Sequence, residues 1–80
     1  MSDTVHHPRH YCAGSFETID IIEDCVQHAP DAVVGGLQWQ VIKYVSRAWL
    51  KGNAYEDFRK AQWYLNRLVN TLATEPYQRK

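Results

Sequence analysis

Apolar side chains recur every three or four positions over most of this chain, which is the period of an α-helix. In residues 16–28, Ile19, Ile22 and Val26 form an apolar stripe, and Glu17, Asp20 and Asp24 form an acidic one at i, i+3 and i+7. This predicts a first helix, capped by Ser15, with Glu17 and Asp20 near its positive end and Pro30 closing it. Leu37, Val41, Tyr44, Val45 and Ala48 predict a second helix that begins somewhere between residues 31 and 37. Asp31 is suited to capping a short turn there, and Gly35-Gly36 reads as a bend. Gly52 stands where a left-handed helix terminator belongs. Asn53-Ala-Tyr-Glu56 reads as an N-cap followed by a capping-box acid, with Asn in place of the usual Ser or Thr. A third helix is predicted over about 54–74, with Phe58, Ala61, Leu65, Leu68 and Leu72 as its stripe and Pro76 ending it.

No strand pattern occurs, so the expected class is all-α: a small three-helix domain in which helices two and three form an antiparallel hairpin. The chain is read as a single domain, 1–80. Residues 1–14, with Pro8, Gly14 and three of the four histidines, form an arm or loop; 15–75 are helical; 76–80 are a loose polar tail.

Eighty residues bury a modest core, and ten aromatics are many for it. Either some of them lie in a subunit interface or ligand site, or they are amphipathic side chains left partly exposed. Nine acids balance nine bases, which argues against a general nucleic-acid binder. The balance conceals a division. Residues 1–35 hold six acids and one base, whereas 36–80 hold eight bases and three acids. The halves should attract each other, within or between subunits. Cys12 and Cys25 lack a disulfide-scaffold or Cys-x-x-Cys arrangement, no apolar run is long enough to span a membrane, and no signal peptide is legible. The expectation is a soluble intracellular protein.

Candidate chemistry concentrates in residues 43–52. On a continuous helix Lys43, Arg47 and Lys51 fall at i, i+4 and i+8, and like charges so spaced repel. Either an anionic ligand neutralises the row, or it is a solvated face paired with acids of a neighbouring helix. Aromatic residues, Tyr44 among them, alternate with these cations, which suits a nucleotide or other phosphorylated ligand. Arg47 can grip phosphate through two parallel hydrogen bonds, and lysines act as mobile point charges. Lys60 and Arg67 are second-line cations. Trp63 and Tyr64 point about 100° apart on a helix, so one ring can face the core and the other stack on a base. His10, followed by Tyr11, reads either as a phosphate partner or as an arm residue packed on the hairpin. A metal site from His7, His10 and Cys12 is a loose match, and no metal is assigned. Glu56 and Asp57 read as cap residues paired with Lys51 or Lys60; Lys60 stands where a two-metal hydrolase would need a third acid. No Walker motif, glycine-rich phosphate loop or Rossmann fingerprint is present.

Three segments together resemble a known family. They are His7-Pro8-Arg9-His10-Tyr11 with Gly14, then Glu17-Thr-Ile-Asp20-Ile-Ile-Glu23, then Ile42-Lys43-Tyr44-x-x-Arg47-x-x-x-Lys51-Gly52 running into Glu56-Asp57-Phe58-x-Lys60-Ala61-x-Trp63-Tyr64-Leu65. The pattern is similar to the small tailed-phage family long catalogued as of unknown function, which includes the nucleotide kinase of a short-tailed coliphage. It covers residues 6–69. The resemblance implies a phage protein in the host cytoplasm, a helical subunit that forms a homo-oligomer, and, for the kinase member, phosphoryl transfer to deoxynucleoside monophosphates without a Walker loop. Trp39-Gln40 stand where the family usually has Gly-Asn.

The sequence therefore points to a nucleotide-binding oligomer of phage origin. Lys43, Arg47 and Lys51 would neutralise phosphates, with Lys43, Arg47 and His10 the candidate catalytic groups. His10 and Tyr11 would close over the ligand, and Trp63 or Tyr64 would stack the base beside Tyr44 and Lys60. Monophosphate kinase activity, with ATP as donor and magnesium not assigned, is the leading expectation. The alternatives are a non-catalytic sponge for a host cyclic nucleotide signal and an anti-defence module that blocks a host protein.

Overall fold

The computed structural model describes residues 17–50 and 52–78. Three helices follow one another: α1, Thr18–Val26; α2, Ala32–Arg47; and α3, Ala54–Leu72. Among the described residues there is no strand. α2 packs most extensively on α3 and less on α1, giving the expected hairpin with a short helix laid against it.

The helix starts are chemically explicit. The Asp31 carboxylate accepts the backbone N–H groups of Val33 (2.9 Å) and Val34 (3.2 Å), so α2 begins at Ala32. Asn53 Oδ1 accepts Glu56 N–H at 3.2 Å, and Asn53 Nδ2 donates to Glu56 Oε1 at 3.0 Å. The return bond of this capping box comes from the Asn amide, a donor that Ser and Thr lack at that reach. Gly52 has a φ of 85°, the left-handed turn that separates the hairpin's helices.

Three expectations are corrected. α1 stops at Val26, well before Pro30, in a turn in which Ala29 N–H bonds Val26 C=O at 2.9 Å. The expected Ser15 cap lies outside the described residues; the helix starts after Glu17, whose side chain does not cap it. Gly35-Gly36 is no bend but lies inside α2, because Asp31 nucleates the helix before it. A β-carbon on Gly35 would approach Ala29 Cβ to 3.2 Å, so this glycine permits the α1–α2 connection to lie close on the helix. α2 also ends at Arg47, short of the predicted terminator at Gly52.

The core is small: Ile22, Val34, Ala48 and Ala61, with Gly35 and one carboxylate, Asp57. α1 buries the side its stripe predicted. α3 keeps Ala61 and Leu68 of its predicted stripe inward and is rotated away from the rest. Its inner line is Asp57, Ala61, Tyr64, Leu68 and Thr71, spaced four, three, four and three. Phe58, Leu65 and Leu72 are each more than a third exposed. The turn follows from the partners offered by α2: a guanidinium at Arg47 and a phenol ring at Tyr44 draw polar and aromatic side chains inward.

Candidate phosphate and aromatic site

The site lies where the C-terminal half of α2 meets the N-terminal half of α3. Tyr44 is its centre. Its ring stacks on Tyr64 across the hairpin, with centroids 5.9 Å apart and planes 12° from parallel. Trp63 meets Tyr64 edge-on, at 5.0 Å and 84°. Of the two neighbouring rings, Tyr64 is therefore the packing residue. Trp63 is 60 % exposed and is the ring with a free face.

Three cations gather on the Tyr44 ring. Lys43 Nζ lies 4.6 Å from its centroid, Arg47 Cζ 4.7 Å and Lys60 Nζ 5.5 Å. Each cation–π contact contributes on the order of 0.5–2 kcal/mol. Sharing one ring brings the three charges within about a Debye length of one another, so they repel. Lys60, a second-line candidate by sequence, is the third cation around the ring among the described residues. Lys51, His10 and Tyr11 lie outside the described residues, as do His7 and Cys12.

One carboxylate faces this group. Asp57 Oδ2 lies 3.6 Å from Arg47 Nε, with the two side chains 7 % and 16 % exposed. Of the pairings of Glu56 or Asp57 with Lys51 or Lys60 expected from spacing, that of Asp57 with Lys60 gives way to Arg47; Lys51 lies outside the described residues. Asp57 is one turn past the cap and points into the hairpin, where Arg47 is the cation within reach. The separation exceeds hydrogen-bond length, and both atoms are buried without a hydrogen-bond partner, as is Gln40 Oε1. Gln40, Tyr44 and Arg47 share one α2 face at i, i+4 and i+7, and Gln40 also lines the hollow between α1 and α2. Among the described residues Lys43 and Lys60 have no carboxylate partner.

Two clefts open here. One of about 350 Å³ is lined by Tyr44, Lys60, Trp63 and Tyr64. The other, about 400 Å³, runs along α3 beside Glu56, Arg59, Lys60, Gln62, Trp63 and Asn66. Lys60 and Trp63 line both. Arg59, Gln62 and Asn66 were missed by sequence reasoning, although Gln62 and Asn66, four apart and flanking Trp63, were a legible signal. Arg67 is exposed and lines neither cleft. A somewhat larger hollow between α1 and α2, about 450 Å³, is walled by small residues such as Ala29, Ala32 and Gly35 and carries no cation.

A family comparison matches residues 5–66 to DUF3310, described as a protein of unknown function. The chain belongs to the DUF3310 family. The match takes in α1, α2 and the first two-thirds of α3, and so every side chain of the Tyr44 cluster. No curated protein and no solved structure matches the chain. Among the described residues no helix is long and apolar enough to cross a membrane, and no group of three or more His, Cys, Asp or Glu is placed to hold a metal ion.

Proposed function

We propose that this DUF3310 protein binds nucleotides, with phosphate seated on Lys43, Arg47 and Lys60 and the base stacked on Trp63. The observation that carries this reading is the convergence of three cationic groups on one tyrosine ring, 4.6 to 5.5 Å from its centroid, against a single buried carboxylate. An anion relieves their repulsion, and the free face of Trp63 beside them suits a base, whose stacking contributes roughly 1–3 kcal/mol.

The activity proposed for the site is transfer of the γ-phosphoryl group of ATP to a deoxynucleoside monophosphate. Such a reaction asks little covalent chemistry of a protein: positioned cations stabilise the charge spread over the transferred group. Arg47 suits that role because Asp57 fixes its Nε side. The resemblance to the tailed-phage family that includes a nucleotide kinase supports this reading and the companion proposals of phage origin and action in the host cytoplasm. Exposed apolar residues, among them Trp49 at 78 % and Val69 at 56 %, support a homo-oligomer.

A second reading is a sponge that holds a nucleotide intact, and one observation favours it. Asp57, the carboxylate at the Tyr44 cluster, is buried against Arg47 and is not free to share a magnesium ion with phosphates. Incubating the purified protein with ATP and each deoxynucleoside monophosphate separates the two. A diphosphate product, lost in Arg47→Ala, supports the kinase. Tight binding with no product supports the sponge. Neither binding nor product defeats the nucleotide reading altogether.

A further inference from the structure

We propose that the ligand carries two nucleobases, which sit on opposite sides of the Trp63 indole with a phosphate between them at Lys60. This rests on the nucleotide reading above and names the ligand class. Trp63 and Lys60 line both clefts, so the indole stands as a fin between two spaces that meet at one ammonium group. The clefts, about 350 and 400 Å³, are each at the low end of the range for ligand pockets. A single nucleotide filling one of them leaves the other face of an already exposed Trp in water.

The two sides differ chemically, and the difference fits two units of one ligand. The Tyr44 side offers phenol rings and the Lys60 ammonium, with Lys43 and Arg47 on the same Tyr44 ring, which suit the phosphate-bearing end. The α3 side offers the amides of Gln62 and Asn66, four residues apart on one helical face. Such amides pair donor and acceptor with the edge of a base, while Arg59 supplies a second cation for its backbone. Two bases joined through phosphate open to admit a ring between them, as bases do around an intercalating side chain. Two sources share this chemistry: a dinucleotide with a 3′,5′ linkage, and a donor and acceptor nucleotide lying end to end.

The test is calorimetric titration of the full chain with three sets of probes. These are the four deoxynucleoside 5′-monophosphates, their self-linked 3′,5′-dinucleotides, and dinucleoside polyphosphates. For at least one base a linked probe should bind ten-fold or more tighter than the monophosphate, one per site, because the second base binds at high effective concentration. A gain with the diester points to a dinucleotide, and a gain with the polyphosphate points to a donor–acceptor pair. The double variant Gln62→Ala/Asn66→Ala should weaken the linked probe about ten-fold more than the monophosphate; both side chains lie on the exposed face, so folding is spared. Monophosphate binding with no ten-fold gain, or a gain that survives the double variant, overturns the two-base inference and leaves the nucleotide reading standing. Absence of binding by every probe overturns both.

Discussion

Arg47 Nε and Asp57 Oδ2 face each other at 3.6 Å inside the α2–α3 hairpin, near enough to attract and too far to hydrogen-bond. Both atoms are buried and otherwise unpartnered. A pair so arranged turns the Nε edge of the guanidinium toward the hairpin interior, beside the Tyr44 ring, whose centroid lies 4.7 Å from Arg47 Cζ.

Loss of one partner in such a pair leaves an uncompensated charge in the interface. Asp57→Ala is expected to lower unfolding free energy by on the order of 3 kcal/mol. Asp57→Asn keeps the shape, removes the buried negative charge facing Arg47 and should raise phosphate affinity at low salt while lowering the melting temperature. Denaturant unfolding and phosphate titration of the same samples check this. A fall in both stability and affinity for Asp57→Asn would mean that the carboxylate itself helps to hold the ligand.

Lys43→Gln and Lys60→Gln each remove one of the charges gathered on Tyr44. Each should weaken nucleotide binding several-fold and flatten its dependence on sodium chloride, since partly exposed charges are screened by salt. Binding measured at two salt concentrations reads out both effects.

Tyr77 ties the end of the described chain to the start of α2. Its hydroxyl donates to Asp31 Oδ2 at 2.6 Å while the same carboxylate caps the helix. The Tyr77 hydroxyl, followed by the Val34 N–H, holds the Asp31 carboxyl below its ordinary range, and the hydrogen bond to Asp31 pushes the Tyr77 phenol up. A depressed carboxyl stabilises the fold above about pH 4, its unfolded value, and that contribution is lost as pH falls through the folded value. A raised phenol stabilises below about pH 10, and that contribution is lost as pH rises through its folded value. Melting temperature plotted against pH should fall away at both ends for the natural chain. In Tyr77→Phe the alkaline loss should disappear and the acid loss should shrink to what the cap alone supplies.

Adjacent glycines in α2 should respond in opposite ways to alanine. Gly36 is exposed in mid-helix, and a β-carbon added there would meet nothing within 4 Å, so Gly36→Ala should stabilise by about 0.5–1 kcal/mol. Gly35→Ala must push on Ala29 at 3.2 Å and should forfeit that gain. Thermal melts of the two variants decide it; equal stabilisation would show that the α1–α2 connection gives way freely.

The helical class, the hairpin and its punctuation were legible in the order of residues alone. Those features depend on neighbours three or four positions away: the Asp31 and Asn53 caps, the left-handed Gly52 and the apolar period of α1 are all local. The same spacing marked Lys43, Arg47, Lys60 and Trp63 as chemistry-bearing residues, because cations and rings recurred at the helical period. Which way α3 faces was settled only by packing. The rotation that buries Asp57, turns Tyr64 inward and leaves Phe58 and Leu65 partly outside depends on what α2 presents across the hairpin. The same contact chose Tyr64 as the packed ring and Trp63 as the open one, paired Asp57 with Arg47, and set Lys60 beside Tyr44. Those choices are made between residues 10 to 20 positions apart, where the local period carries no information.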